Sequence, residues 1–200
     1  EIEILVIDGG SSDGTLDVIE EMKKEDARIR LFHAPSSVGA QFNLGLRKAK
    51  GRYIGICEAD DYVLPDMYKE QFHIADVHRL DVVRADYYQV CNVGGMEYRF
   101  RHQGCCHCGM TDRVLVQRQG DVHFFLEQGV NGFWNGIYRR QFLLEHQIQM
   151  NETGGAAYQD ITFSFLSQMY AERIWFMSEA YYCYRIDNPG ASVYSLHGVG

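Results

Sequence analysis

The sequence predicts an α/β fold: a mixed, mainly parallel sheet flanked by helices. Three observations carry the prediction. Over residues 1–80, apolar segments that read as strands alternate with segments of helical period. The first strand is apolar on both faces over Ile4-Leu5-Val6-Ile7, which fits a strand buried on both sides. Two strands end in acidic, turn-forming stretches, at Asp8 and at Glu58-Ala59-Asp60-Asp61. Strand ends of this kind are where such sheets bind ligands.

The elements follow in order. Residues 2–7 form the first strand, ending in the turn Asp8-Gly9-Gly10-Ser11-Ser12-Asp13-Gly14-Thr15. Leu16, Ile19 and Met22 stand at helical spacing behind it, with Asp13 or Thr15 placed to cap the helix. Residues 30–33 are a short second strand. Val38, Phe42, Leu46 and Ala49 mark the core face of a second helix, which Gly51 stops. Residues 52–57 are a third strand, running into Glu58, and residues 67–80 a third helix. This repeated βαβ alternation implies one parallel, doubly wound sheet.

Past residue 81 the pattern changes. Residues 81–93 and 96–101 predict a hairpin around Gly94-Gly95. Residues 102–120 are polar and without period. A helix over 155–170 carries Tyr158, Ile161, Phe165 and Met169 on one face, and 174–177 and 180–186 read as final strands. No repeat or linker divides the chain, so residues 1–200 are expected to form one domain.

Composition narrows the classes. Hydrophobic residues make up 46% and charged residues 23%, which is ordinary for a soluble domain. A net charge of -8 argues against a nucleic-acid partner, and an anionic ligand would need a bound cation or a local basic patch. The six cysteines (Cys57, Cys91, Cys105, Cys106, Cys108 and Cys183) form no secreted disulfide framework, so a reducing, cytoplasmic setting is expected. Cys105-Cys106-His107-Cys108 is too tightly spaced for a tetrahedral zinc site. No signal peptide or apolar run of membrane-spanning length is visible. The chain opens on a strand without a leading methionine and reads as a piece of a longer protein.

The acidic strand end has the strongest chemistry. Residues two apart on a strand project to one side, so Glu58 and Asp60 do so while Asp61 begins the turn. Hard carboxylate oxygens suit Mg²⁺ or Mn²⁺, and neighbouring acids repel unless a cation or donors compensate. Asp8 can accept from a nucleobase or ribose, or bond its own turn. Asp160, early in its helix, can serve as a general base or favour the helix dipole. Arg185 can neutralise a phosphate or form a surface ion pair. Trp134 can stack on an acceptor sugar or belong to the core.

Together these stretches resemble the family 2 glycosyltransferases of the GT-A fold. Ile4-Leu5-Val6-Ile7-Asp8-Gly9-Gly10-Ser11-Ser12-Asp13-Gly14-Thr15 is similar to the family's V-D-D-G-S-x-D-G-T turn. Ala40-Gln41-Phe42-Asn43-Leu44-Gly45 with Lys48-Ala49-Lys50-Gly51 is similar to its A-R-N-x-G…A-x-G segment. Glu58-Ala59-Asp60-Asp61 with Leu64-Pro65 resembles D-x-D-D…P, and Gln159-Asp160 stands where the family has Glu-Asp. Trp134-Asn135 with Tyr138 to Leu143, and Tyr184-Arg185 ahead of a serine-containing tail, add two further blocks.

The resemblance implies a Rossmann-like nucleotide-sugar-binding half over 1–80 and an acceptor and catalytic half over 81–200. Asp8, Gly10, Ser12, Asn43, Glu58, Asp60 and Arg185 would line the donor site. Asp60, with Asp61, would bind Mg²⁺ or Mn²⁺. Asp160 would be the base and Trp134 would face the acceptor. The donor would be a UDP-sugar and the acceptor a glycan or lipid-linked hydroxyl. Transfer would be inverting and non-processive, since Q-x-x-R-W is absent, and would serve cell-surface glycan synthesis. Peripheral association with the inner face of a membrane would fit such acceptors.

The chain departs from the pattern at Gly9, Phe42, Glu58 and Gln159. The family's first strand, with its P-x-Y-N contact, would precede residue 1. Two rival readings remain: an inactive nucleotide-sugar-binding or interaction domain, and a sugar nucleotidyltransferase.

Overall fold

A computed structural model gives the architecture. It describes residues 1–103, 111–116, 132–153 and 158–190. The first βαβ unit forms as predicted. Strand β1 (Ile4–Asp8) pairs in parallel with β2 (Ile29–His33), Ile4 opposite Ile29 and Asp8 opposite His33, across helix α1 (Thr15–Glu25). Ile19 is buried on α1, whereas Met22 is 51% exposed and lies off the core stripe. Helix α2 (Val38–Lys48) begins at Ser37, whose side chain accepts the Ala40 N–H, and it buries Leu46.

The chain continues through β3 (Tyr53–Gly55), β4 (Tyr62–Val63), α3 (Met67–His78), β5 (Val82–Val93) and β6 (Met96–His102). It ends with β7 (Val114–Val116), β8 (Gly136–Arg139), α4 (Arg140–Glu145), α5 (Ile161–Tyr170) and β9 (Arg173–Arg185). The larger sheet has the order β3-β8-β5-β9-β4, with β6 also on β5 and β7 also on β9.

The sheet is mixed, as expected, but its parallel part is smaller than the βαβ pattern suggests. Among the described residues only β1–β2 and β5–β9 pair in parallel. Strand β3 joins the larger sheet through antiparallel β8, Tyr53 opposite Arg139, so β1 and β3 share no ladder. Glu3 ties the two regions, accepting the Lys50 and Gly51 N–H groups at 2.5 and 2.8 Å.

Strand β5 is the axis of the core. Val82 packs into a cluster with Leu46, Met67, Tyr138, Phe163 and Tyr182, whereas its neighbour Val83 packs on the other face with Ala75, Leu80 and Ile137. That two-residue alternation is a strand buried on both sides. The β5–β6 hairpin closes as predicted. Val93 lies opposite Met96, and Gly94 and Gly95 take φ of 60° and 83°, the left-handed pair of a type I′ turn.

Two predicted elements need correction. Strand β9 is continuous, not two strands; its ladder with β5 slips between Ala85 and Asp86, opposite Met177 and Ala180. Helix α5 starts at Ile161 and buries Phe163, Ser164 and Ser167, while Ile161 is 50% exposed. The apolar stripe misplaced its phase because two small hydroxyl residues face the core. The Cys105-Cys106-His107-Cys108 run and residues 155–157 lie outside the described residues.

Candidate active site

Asp8 ends β1 with its side chain buried. Its Oδ2 accepts the Gly10 N–H at 2.8 Å and its Oδ1 the Ser11 N–H at 3.1 Å. Hydrogen bonds from the Ser11 side chain and the Gly10 N–H hold its carboxyl down at about 2. His33 Nδ1 stands 3.4 Å from Oδ2. Gly10 makes this possible by taking φ of 102°. Ser12 is exposed on the same turn. Asp13 accepts the Thr15 N–H and hydroxyl, at 3.2 and 2.6 Å, while Gly14 occupies the cap position of α1. Asp8 therefore organises its own turn. It shares no hydrogen bond or ion pair with Glu58, Asp60 or Asp61 among the described residues.

The acidic stretch after β3 is held from across the sheet by β9. The Tyr182 hydroxyl donates to Asp61 Oδ2 at 2.7 Å and accepts the Glu58 N–H at 3.1 Å. The Arg185 N–H donates to Asp61 Oδ1 at 2.7 Å. Asp60 is exposed; its Oδ2 accepts Asn188 Nδ2 at 2.8 Å and its carbonyl accepts Arg185 Nε at 3.1 Å. The Arg185 guanidinium also pairs with Asp187 at 3.4 Å. Burial, then the charges of Asp61, Asp60 and Asp160, push the Glu58 carboxyl up to about 7. Burial also raises Asp61, against the bonds from Arg185 and Tyr182.

Of the acids that act on Glu58, Asp160 is the one from outside the 58–61 stretch. It sits at the N-cap of α5, where its carbonyl accepts the Ser164 N–H at 2.8 Å. Its carboxylate caps nothing, and it makes no hydrogen bond with a described residue. Its place at the helix N-terminus suits a carboxylate by the helix dipole and leaves its side chain uncommitted to a cap.

Asn43 and Trp134 go elsewhere. The Asn43 amide donates to Met150 O and Glu152 Oε1, both at 2.9 Å, and its Oδ1 accepts the Met150 N–H at 3.0 Å. Its polar atoms clamp a loop to α2. Trp134 is 7% exposed, stacked on Tyr182 and Tyr184 with ring centroids at 4.4 and 5.1 Å. That burial leaves little ring face for a sugar, so the geometry gives Trp134 the core role.

Two participants carry no pattern signal: Tyr182 and Asn188. Tyr182 sits in the aromatic run Tyr181-Tyr182-Cys183-Tyr184, and only its contact across 121 residues singles it out.

The donors at this strand end are hard oxygens, and the crowding felt by Glu58 is the kind a cation relieves. Mg²⁺ or Mn²⁺ fits that chemistry. Among the described residues no three His, Cys, Asp or Glu side chains form a ready cage. A cation here would take one or two carboxylates and fill its shell with water and ligand oxygens, as Mg²⁺ does at phosphate sites. A separate cavity of about 460 Å³, lined by Arg52, Asp76, Arg79, Asp81, Arg139 and Arg173, opens at the other end of β9. The ion pairs Arg52–Asp76 at 2.7 Å and Arg139–Asp81 at 2.6 Å brace its wall.

Known proteins share this fold. The solved structure of S. aureus TarS 1–349 in complex with UDP-GlcNAc superposes with a TM-score of 0.73 at 20% identity, covering 96% of this chain and 51% of that one. Putative glycosyltransferase EpsH of Bacillus subtilis is 29% identical over 194 residues, 92% of this chain and 52% of its own length. Uncharacterized glycosyltransferase EpsJ of the same organism is 27% identical, covering 96% and 54%. The chain thus spans about half the length of the relatives it matches. The family model described as Glycosyl transferase family 2 matches residues 1–159, a span holding the Asp8 turn, the acidic strand end and Gln159. With a mixed sheet and a carboxylate-lined strand end in the matching order, the chain belongs to glycosyl transferase family 2.

Proposed function

We propose that the full-length protein is an inverting, metal-dependent glycosyltransferase that moves a sugar from a UDP-sugar to a hydroxyl of a glycan or lipid-linked acceptor. What supports the reading is the acidic stretch: burial first, and then the charges of Asp61, Asp60 and Asp160, raise the Glu58 carboxyl, so acids from chain regions about a hundred residues apart act on one group. Such a cluster suits a diphosphate only when a cation accompanies it.

Asp160 takes the proton of the acceptor hydroxyl as its oxygen attacks the anomeric carbon. The bond from that carbon to the diphosphate oxygen breaks on the opposite face, and its electron pair leaves on the diphosphate. Asp60, with Asp61 behind it, would hold the cation, which offsets the charge growing on that leaving group. Arg185, anchored beside Asp60, adds positive charge at the same rim. Asp8 and the Gly10–Ser12 turn would border the nucleoside. The fold neighbour TarS is described with UDP-GlcNAc, which favours a uridine donor. A role in cell-surface glycan synthesis fits a lipid-linked or glycan acceptor. Peripheral membrane association would suit such an acceptor. Among the described residues no helix is long and apolar enough to cross a membrane.

The test is UDP release from a panel of UDP-sugars with Mn²⁺, full-length protein against Asp160→Asn. The variant should lose turnover and keep UDP binding. Full turnover in Asp160→Asn removes the base; UDP binding without any turnover by the parent protein favours an inactive binding domain.

A further inference from the structure

We infer that Gln159 is the positioning residue that fixes Asp160, and that it does so through the first turn of α2. The inference rests on the reading of Asp160 as the base.

Gln159 is 1% exposed. Its Oε1 accepts the Gly39 N–H at 2.7 Å and the Ser37 hydroxyl at 3.0 Å. Its Nε2 donates to Thr153 O at 2.6 Å, and its backbone carbonyl accepts the Asn151 N–H at 3.1 Å. These bonds reach from the α5 approach to a helix some 120 residues earlier. The approach is close enough to need glycine: a Cβ on Gly39 would run into the Asn151 carbonyl and the Gln159 side chain.

Helix α5 fixes the Asp160 backbone at its N-cap but makes no bond to the side chain. Tyr158 just before it takes φ of 59°, an uncommon left-handed value for a side chain of that size. Asp160 itself makes only the first backbone bond of α5 and no side-chain cap. The nearest fixed side chain is therefore Gln159, one residue away.

The other side of the same α2 turn touches the Asp8 loop. A Cβ on Gly9 would meet the Gln41 side-chain amide, and the Ala34 N–H that leads into α2 donates to Asp8 O at 3.0 Å. Residues 37–41 are thus a common mount for the Asp8 turn and for Asp160. An acid acting on a bound acceptor needs such a mount, because a displacement of about 1 Å can cost about a hundredfold in rate.

The experiment compares Gln159→Met, Gln159→Glu and Asp160→Asn in the full-length protein, measuring UDP release from UDP-N-acetylglucosamine with Mn²⁺ over a donor titration. Gln159→Met removes the side-chain bonds to Gly39, Ser37 and Thr153 at similar volume. It should lower kcat by about tenfold or more while donor KM stays within about twofold. Gln159→Glu keeps the acceptor that meets Gly39 and Ser37 at a helix N-terminus, and should recover kcat to within about threefold of the parent. Unchanged kcat in Gln159→Met, with Asp160→Asn inactive, overturns the positioning role and leaves the base intact. A parallel loss of kcat and KM in Gln159→Met without recovery in Gln159→Glu also overturns it, as plain destabilisation. Full activity in Asp160→Asn instead overturns the base. If Gln159→Met does not fold, Ser37→Ala decides: it removes one bond from the α2 side, and kcat should fall at constant donor KM, whereas unchanged kcat overturns the proposal.

Discussion

The Tyr182 hydroxyl donates to Asp61 Oδ2 at 2.7 Å, from a side chain with no exposure, and so joins β9 to the acidic strand end. The same oxygen accepts the Glu58 N–H at 3.1 Å. Tyr182→Phe keeps the ring stack with Trp134 but strands a carboxylate oxygen and an N–H. Removing one partner of buried polar groups costs about 1–3 kcal/mol. Chemical denaturation should show that loss, and Mn²⁺-dependent UDP binding should weaken with it. Wild-type stability would mean that water replaces the hydroxyl without cost.

Glu58 sets a pH dependence. Its carboxyl is raised from 4.5 to about 7, burial first and then Asp61, Asp60 and Asp160. The folded chain therefore binds this proton more tightly than the unfolded chain does. Stability is fully present below about pH 4.5 and falls as pH rises to about 7. The whole step is about 3 kcal/mol at most. Asp61 is raised as well and acts in the same direction. Metal-free protein should thus melt lower at pH 8 than at pH 5.5. Glu58→Gln should flatten the difference, and Mn²⁺ should stabilise more at pH 8. A melting temperature that rises over this range would contradict the crowding.

Asn43 illustrates what could and could not be read from sequence. Its motif setting suggested a donor contact, yet its amide spends three bonds on Met150 and Glu152, 107 and 109 residues away. Local periodicity did reveal β1, α1, β2 and α2, and Gly94-Gly95 revealed the hairpin, because those patterns are set by neighbours in the chain. The pairing of β3 with β8 and the bridge by Tyr182 depend on partners far away in sequence, which no period reports. The phase of α5 failed for a different reason: Ser164 and Ser167 are buried and Ile161 is exposed, against their hydrophobicity. Trp134 was readable as core or acceptor, and only its stack on Tyr182 and Tyr184 decides.

Asn43→Ala should accordingly act on stability. It leaves buried groups of Met150 without partners, at about 2–4 kcal/mol. Thermal melting should drop clearly, while the donor KM of the remaining folded protein stays near that of the parent. A large KM change at unchanged stability would restore the direct donor contact.

Asp60 and Asp61 are neighbours with different commitments. Both Asp61 oxygens are taken, one by Tyr182 and one by the Arg185 N–H. Asp60 is exposed and gives one oxygen to Asn188, and its other oxygen has no hydrogen bond among the described residues. In Asp61→Asn, the new amide must present hydrogens to one of two donors, so stability should fall by about 1–3 kcal/mol. In Asp60→Asn nothing buried is lost, so melting should hold while a hard-cation ligand loses its charge. Mn²⁺ titration in the presence of UDP, followed by electron paramagnetic resonance, separates them. Asp60→Asn should weaken Mn²⁺ binding at constant melting temperature, and Asp61→Asn should lower the melting temperature first. If Asp60→Asn binds Mn²⁺ as the parent does, the cation is held elsewhere. The free oxygen of Asp60 would then be only a solvated rim acid.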